Sequence, residues 1–242
     1  MKYCPSDKNI AQVRKIQYDK ERPVSPAFDL WMGVRGKMIK HIIWDFDGTL
    51  CDTYPPIARA MQAGLSTLGY SYSYGQILSL CKISMSHCLH TLAEQTGIPF
   101  AELDEEIDCQ YASVGPDEQK PFPGVKEILQ KIQSGGGKNI IITHRRSSTL
   151  HQLLEFFTLS AYFEGCITAD DGFPRKPNPA AFFAALQSYR LNPGETLGIG
   201  DRALDVEAAQ ASGIRSAFFG NPPQGLKPDY VIHDYFEFLK KL

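Results

Sequence analysis

Apolar residues recur along this chain with two different periods, and the order of those periods predicts its architecture. Ile42-Ile43-Trp44, Ile140-Ile141-Ile142 within Asn139–Thr143, and Thr196–Gly200 are short, nearly continuous apolar runs. Such runs read as strands buried on both faces. Ser216–Phe219 and Tyr230–Ile232 are shorter strand candidates. Between the runs, Val125, Ile128, Leu129 and Ile132 fall at i, i+3, i+4 and i+7, so one helix face is apolar. Leu150, Leu153, Leu154 and Phe157 repeat that spacing, and Ala203–Ala211 predicts a further helix. Ser134-Gly135-Gly136-Gly137 stops the first of these helices. Asn178 and Pro179 read as N-cap and first helical residue ahead of Ala180–Leu186. Alternation of this kind gives the α/β class, a doubly wound, mostly parallel sheet with helices on both faces.

One stretch breaks the alternation. Between about 53 and 120 only helical spacing is present: Ile57, Met61, Leu65 and Leu68 share a face, as do Ile77, Leu80 and Cys81. Leu89, Leu92 and Ala93 are expected to continue that second helix, and Leu103 and Ile107 to start another. Pro55-Pro56 and Pro121-Phe122-Pro123 mark the joints. The expected division is therefore a core of residues 39–52 and 121–242, with a small helical cap at 53–120 inserted after the first strand. A module in that place can cover a site at the strand ends and exclude water from it. Residues 1–38 are polar and interrupted by Pro5, Pro23, Pro26, Gly33 and Gly36, so a loosely held N-terminal extension is expected. Val13 and Ile16 mark at most one short helix there, while Phe28, Leu30 and Trp31 offer apolar groups for docking.

Composition narrows the class without naming a chemistry. The 242 residues are 43% hydrophobic and 21% charged, as expected of a globular enzyme. A formal net charge of −2 argues against general affinity for nucleic acid or an anionic membrane. Six scattered cysteines show no C-x-x-C pair and no zinc spacing, which predicts reduced thiols and a cytoplasmic protein. No apolar run is long enough to span a bilayer.

Chemistry collects where the strand patterns end. Asp45 and Asp47 leave the carboxyl end of the first strand together, with Gly48 turning the chain beside them. Open α/β sheets bind ligands at that edge. One carboxylate can attack phosphorus and the other handle a proton, while their joint charge calls for a divalent cation. Thr143 follows the second strand pattern, Lys176 precedes a Pro-capped helix, and Asp201 and Asp205 follow Leu197–Gly200. Each has a plainer reading as a cap or a solvated side chain, yet all four sets point in order at one sheet edge. Four aspartates gathered there would repel one another strongly. Mg²⁺ and the Lys176 ammonium would offset that repulsion and hold a phosphate dianion beside an anionic nucleophile.

The ordered set D-F-D-G-T-L, I-I-T, K-P-N-P and G-D-x-x-x-D resembles the haloacid dehalogenase superfamily of phosphohydrolases over about residues 39–242. The helical insertion between the first two motifs is similar to the subgroup that includes phosphoglycolate phosphatases. The resemblance implies that Asp45 is the nucleophile that becomes an aspartyl-phosphate and that Asp47 is the acid and then the base. It implies Mg²⁺ held by the Asp45 carboxylate, the Asp47 main-chain carbonyl and Asp201, supported by Asp205. Thr143 would donate to the phosphoryl oxygens, and Lys176 would bridge nucleophile and phosphate. Gly48, Thr143, His144 and Lys176 are the expected phosphate-side contacts.

The resulting expectation is a Mg²⁺-dependent phosphatase acting on a small, anionic phosphorylated metabolite, as a monomer or homodimer. A sugar phosphomutase of the same superfamily is the alternative enzyme, and a non-catalytic regulatory protein retaining the fold is the alternative from another class. Asp47 favours phosphate chemistry over dehalogenation, which needs no acid/base at that position. His144-Arg145-Arg146 either meet an anionic substrate or form a solvated loop. Lys82 and His87 either read the leaving group or sit on a helix surface. Gly135-Gly136-Gly137-Lys138-Asn139 is not a phosphate loop, since it follows a helix, precedes a strand and lacks Ser or Thr after the lysine.

Overall fold

The structure, a computed structural model, describes residues 38–242. The expectations for Val13, Ile16, Phe28, Leu30 and Trp31 therefore lie outside the described residues. The chain divides into two compact units: the described residues up to Leu50 joined with Pro121–Leu242, and Cys51–Lys120.

The first unit is built on six strands: β1 (His41–Trp44), β2 (Asn139–Ile142), β3 (Phe163–Ile167), β4 (Thr196–Gly200), β5 (Arg215–Phe219) and β6 (Tyr230–Ile232). They lie in the order β3-β2-β1-β4-β5-β6, and every pair is parallel. The chain thus starts in the middle of the sheet, runs to one edge, returns to β4 beside β1 and fills the other edge. Between β1 and β4 the strand order switches direction, which opens a crevice at their carboxyl ends. In register, Trp44 lies opposite Ile141 on one side and Ile199 on the other, so Asp45, Thr143 and Asp201 leave neighbouring strands at nearly one level.

Both faces of the sheet are buried, which is why its central strands are largely apolar. On one face Ile43, Ile140 and Ile142 pack with Phe182, Ala185, Ala208, Ala209 and Ile214. The helix Val125–Ser134 buries Val125, Ile128, Leu129 and Ile132, the face its spacing predicts. Trp44 is fully buried, donates from Nε1 to Asn139 Oδ1 at 3.1 Å and meets Tyr235 edge-on at 5.8 Å. Asn139 in turn donates to the carbonyls of Leu129 and Tyr162 at 3.1 and 3.2 Å, so this buried amide is satisfied. The helix expected at Asn178–Pro179 begins one residue later, at Ala180, because Pro179 takes the N-cap position and Asn178 Oδ1 accepts from the Ala180 N–H at 3.0 Å. The strand β3 has no counterpart in the sequence reading.

The second unit holds four helices, α1 (Tyr54–Thr67), α2 (Tyr74–Ile83), α3 (Met85–Thr96) and α4 (Phe100–Tyr111). Met61, Leu65, Ile77, Cys81, Cys88, Leu92 and Leu103 fill its centre. The second helix does not continue through Leu89 and Leu92 as expected: it ends at Ile83, and those residues belong to a separate helix. Ser84 is extended, with φ −170° and ψ 156°, and its hydroxyl accepts from the His87 N–H at 3.0 Å. That serine therefore ends one helix and N-caps the next. The Sγ atoms of Cys81 and Cys88 lie 3.7 Å apart, and each lies within 3.6 Å of Met61 Sδ. Among the described residues no helix is long and apolar enough to cross a membrane.

Candidate active site

Asp45 is the first residue past β1, and its main-chain N–H donates to the Ile199 carbonyl at 2.9 Å, which pins the start of the loop to β4. Its side chain is buried, with 3% of the residue exposed. A tight turn follows, in which Gly48 takes a left-handed φ of 77° and Leu50 N donates back to the Phe46 carbonyl at 3.0 Å. The turn sends Asp47 and Thr49 to different neighbours. Thr49 Oγ1 donates to Asp201 Oδ1 at 3.3 Å, while the Asp47 carboxylate meets Arg145.

Lys176 reaches into the sheet edge from the segment before the helix Ala180–Ser188, and its side chain is 2% exposed. Its ammonium donates to Asp45 Oδ1 at 2.6 Å and to the Ile142 carbonyl at 3.0 Å, and it forms an ion pair with Asp205 Oδ1 at 2.5 Å. Burial alone would lower the pKa of this ammonium, but Asp205 and Asp45 outweigh it and hold the pKa above the usual lysine value. Burial pushes the Asp45 carboxyl up to about 6, with Asp205 adding to the rise and Lys176 and Arg202 opposing it. Burial would raise Asp205 as well, yet Lys176 and Arg202 bring it below the usual range.

Asp201 and Asp205 follow β4, and the helix Ala203–Ala211 carries Asp205 in its first turn. Asp205 is buried rather than a solvated first-turn acid, and its Oδ2 accepts from the Arg202 N–H at 3.2 Å. Gly200 makes this approach feasible, since a methyl group there would collide with Cβ, Cγ and Oδ2 of Asp205. Arg202, which the sequence reading passed over inside the G-D-x-x-x-D motif, is buried as well. Its Nη2 lies 3.5 Å from Asp45 Oδ1, and its Nε lies 3.9 and 3.7 Å from Asp201 and Asp205.

The second strand contributes Thr143, which is buried and accepts at Oγ1 from the Arg145 N–H at 3.1 Å. That bond uses a lone pair of the hydroxyl and leaves its proton free to donate. His144 Nε2 accepts from the Lys176 N–H at 3.0 Å. Burial and then the Lys176, Arg202 and Arg175 charges lower the pKa of this imidazole to about 3. His144 thus braces the lysine segment as a neutral ring and brings no positive charge to the site. Arg145 turns inward onto Asp47, and Arg146 is exposed. Lys82 and His87 are exposed on the helical unit.

The donor set suits a hard divalent cation. Asp45, Asp201 and Asp205 each offer a carboxylate oxygen within 4.8 Å of the others. Asp45 Oδ2 is buried without a hydrogen-bond partner. Three carboxylates face two cationic side chains, Lys176 and Arg202, leaving negative charge and an unsatisfied oxygen of the kind Mg²⁺ takes. Asp47, whose expected part in metal binding is its main-chain carbonyl, directs its carboxylate to Arg145 instead.

A family model described as haloacid dehalogenase-like hydrolase matches residues 42–219, a span that runs from β1 through β5 and contains every residue of this cluster. The chain belongs to the haloacid dehalogenase-like hydrolases. Among its relatives in this family is a phosphoglycolate phosphatase of Yersinia pestis, 30% identical over 186 residues, covering 74% of this chain and 80% of that protein. A phosphoglycolate phosphatase of Aliivibrio fischeri is 28% identical over 226 residues, covering 83% of this chain and 95% of the relative. The crystal structure of a predicted phosphoglycolate phosphatase from Haemophilus somnus superposes with a TM-score of 0.73 at 20% identity, covering 86% of this chain and 99% of that one. That likeness extends to the fold, the six-stranded parallel sheet with flanking helices.

Proposed function

We propose that this hydrolase is a Mg²⁺-dependent phosphatase that cleaves a small phosphomonoester through an aspartyl-phosphate on Asp45. The observation that carries the reading is the state of Asp45 itself. It is a buried carboxylate at the switch point of the sheet, gripped at Oδ1 by Lys176 and bare at Oδ2. With its pKa at about 6, it is mostly ionised at neutral pH and thus nucleophilic.

In the first half-reaction an Asp45 oxygen bonds to phosphorus as the ester P–O bond breaks, and Asp47 gives its proton to the leaving oxygen. In the second, the Asp47 carboxylate takes a proton from water. The water oxygen bonds to phosphorus, and the bond from phosphorus to Asp45 breaks, releasing phosphate and restoring both aspartates. Lys176 neutralises charge on the nucleophile before attack and on the phosphoryl group after it. The Thr143 hydroxyl donates to a phosphoryl oxygen. Asp45, Asp201 and Asp205 would hold Mg²⁺, which when bound supplies positive charge against the transferring phosphoryl group.

The names of the relatives support a phosphoglycolate-like, small anionic substrate for this chain. The test is phosphate release across a panel of phosphorylated metabolites, with and without Mg²⁺, for the wild type and Asp45→Asn. Mg²⁺-dependent release that disappears in the variant is expected. Undiminished release by the variant would refute the mechanism, and an isomerised product without released phosphate would replace hydrolysis with phosphoryl return to substrate.

A further inference from the structure

The functional reading gives no task to Arg145. Arg145 follows the phosphate-side threonine by two residues, and its side chain is only 7% exposed. Its Nη2 donates to Asp47 Oδ1 at 2.6 Å, and its Nε donates to Oδ1 and Oδ2 at 3.1 and 3.3 Å. The guanidinium also lies over the Phe46 ring, 5.4 Å from its centroid. Its main chain is held at both ends, the N–H by Thr143 Oγ1 and the carbonyl by the Ala169 N–H at 3.0 Å. A planar fork on a fixed backbone, stacked on a ring that belongs to the same turn as its partner, fixes both the place and the rotation of the carboxylate it grips.

We propose that Arg145 is the positioning residue for the acid/base, setting where Asp47 presents its proton to the leaving oxygen. The assignment rests on the functional reading above. Two features favour positioning over simple packing. The fork engages both carboxylate oxygens, so rotation of Asp47 about its last torsion breaks bonds. The same residue also binds Thr143, so the acid/base and a phosphate-side hydroxyl are registered against each other through one side chain and its own N–H.

A positioning role separates leaving groups. An alkoxide needs a proton in the transition state, whereas p-nitrophenolate departs as a stable anion. Misplacing a general acid therefore slows alkyl phosphates far more than aryl phosphates. The experiment measures kcat and KM for p-nitrophenyl phosphate and glycerol 2-phosphate in the wild type, Arg145→Gln, Asp47→Asn and the double variant. Thermal melts confirm that each variant is folded. In Arg145→Gln, kcat for the alkyl ester is expected to fall by about 100-fold and that for the aryl ester by less than about 10-fold. The double variant is expected to match Asp47→Asn alone, since Arg145 acts through Asp47.

Equal losses on both esters, an unchanged or increased rate on the alkyl ester, or fully additive losses in the double variant would overturn the assignment. Should Arg145→Gln fail to fold, Arg145→Lys carries the test. It keeps the charge but not the fork, and an alkyl-selective loss is expected of it too, while equal losses on both esters would again overturn the assignment. A wild type with no Asp45-dependent release from either ester would overturn the functional reading itself, and the Arg145 assignment with it.

Discussion

Replacing Lys176 by Met keeps most of the side chain's length and apolar stem while removing the ammonium that joins three elements. The substitution strips a partner from Asp45 Oδ1, Asp205 Oδ1 and the Ile142 carbonyl, all buried. Breaking one side of a buried ion pair costs about 3–5 kcal/mol, because the other charge stays behind without compensation. Arg202, 3.5 Å from Asp45 and 3.7 Å from Asp205, remains and keeps the cost within that range. For a chain of this size, each kcal/mol shifts the melting temperature by roughly 2–4 °C, so a fall of roughly 6–20 °C is expected. The loss also depends on pH with a fixed sign. Without the ammonium, Asp45 and Asp205 hold protons in the folded state that the unfolded chain has released. Folded pKa values above the unfolded ones contribute stability that fades as pH rises. Thermal melts of metal-free wild type and Lys176→Met at pH 5 and pH 8 measure both effects. A fall under about 3 °C at pH 8, or a wider gap at pH 5 than at pH 8, would refute the reasoning.

Two further outcomes follow from single positions. Gly200→Ala places a methyl group against the Asp205 side chain, and overpacking of this kind costs about 1–3 kcal/mol. It is expected to lower the melting temperature and, by displacing Asp205, to weaken Mg²⁺ binding measured by calorimetry; unchanged affinity would show that Asp205 is not held where the structure has it. The His144 pKa of about 3 lies below the ordinary value of 6.5, so the unfolded chain binds a proton that the folded chain refuses between those limits. This group therefore contributes stability that is complete above pH 6.5 and is lost as pH falls toward 3. Allowing for its partial solvent access, the effect is roughly 1–2 kcal/mol. His144→Asn is expected to flatten the decline of stability between pH 6.5 and 4, and parallel curves for the two proteins would contradict that.

How far the sequence announced this molecule depends on whether a feature is local or assembled. The central strands were legible because burial on both faces leaves continuous apolar runs such as Ile140–Ile142. The edge strand β3 was not, because Glu164 is exposed, Phe163 is half-buried and Gly165 carries no side chain, so no period survives. Ser84 hid the break between two helices, since the apolar spacing runs through it and only its backbone angles reveal the cap. At the site, the aspartates and Lys176 were readable from their places at the strand ends. Thr49 was overlooked because its part is a single bond to Asp201. The tasks of Arg145 and Arg202 were invisible for a different reason: a guanidinium in sequence is only a charge. Its burial against particular carboxylates comes from loops that meet across the sheet.

The most direct measurement of the central claim is rapid acid quenching of the enzyme during turnover of a ³²P-labelled monoester, followed by peptide mapping. The account predicts acid-stable, hydroxylamine-labile label on the peptide containing Asp45, and none in Asp45→Asn. Steady turnover with no label on any aspartate, or label elsewhere in the chain, would contradict it.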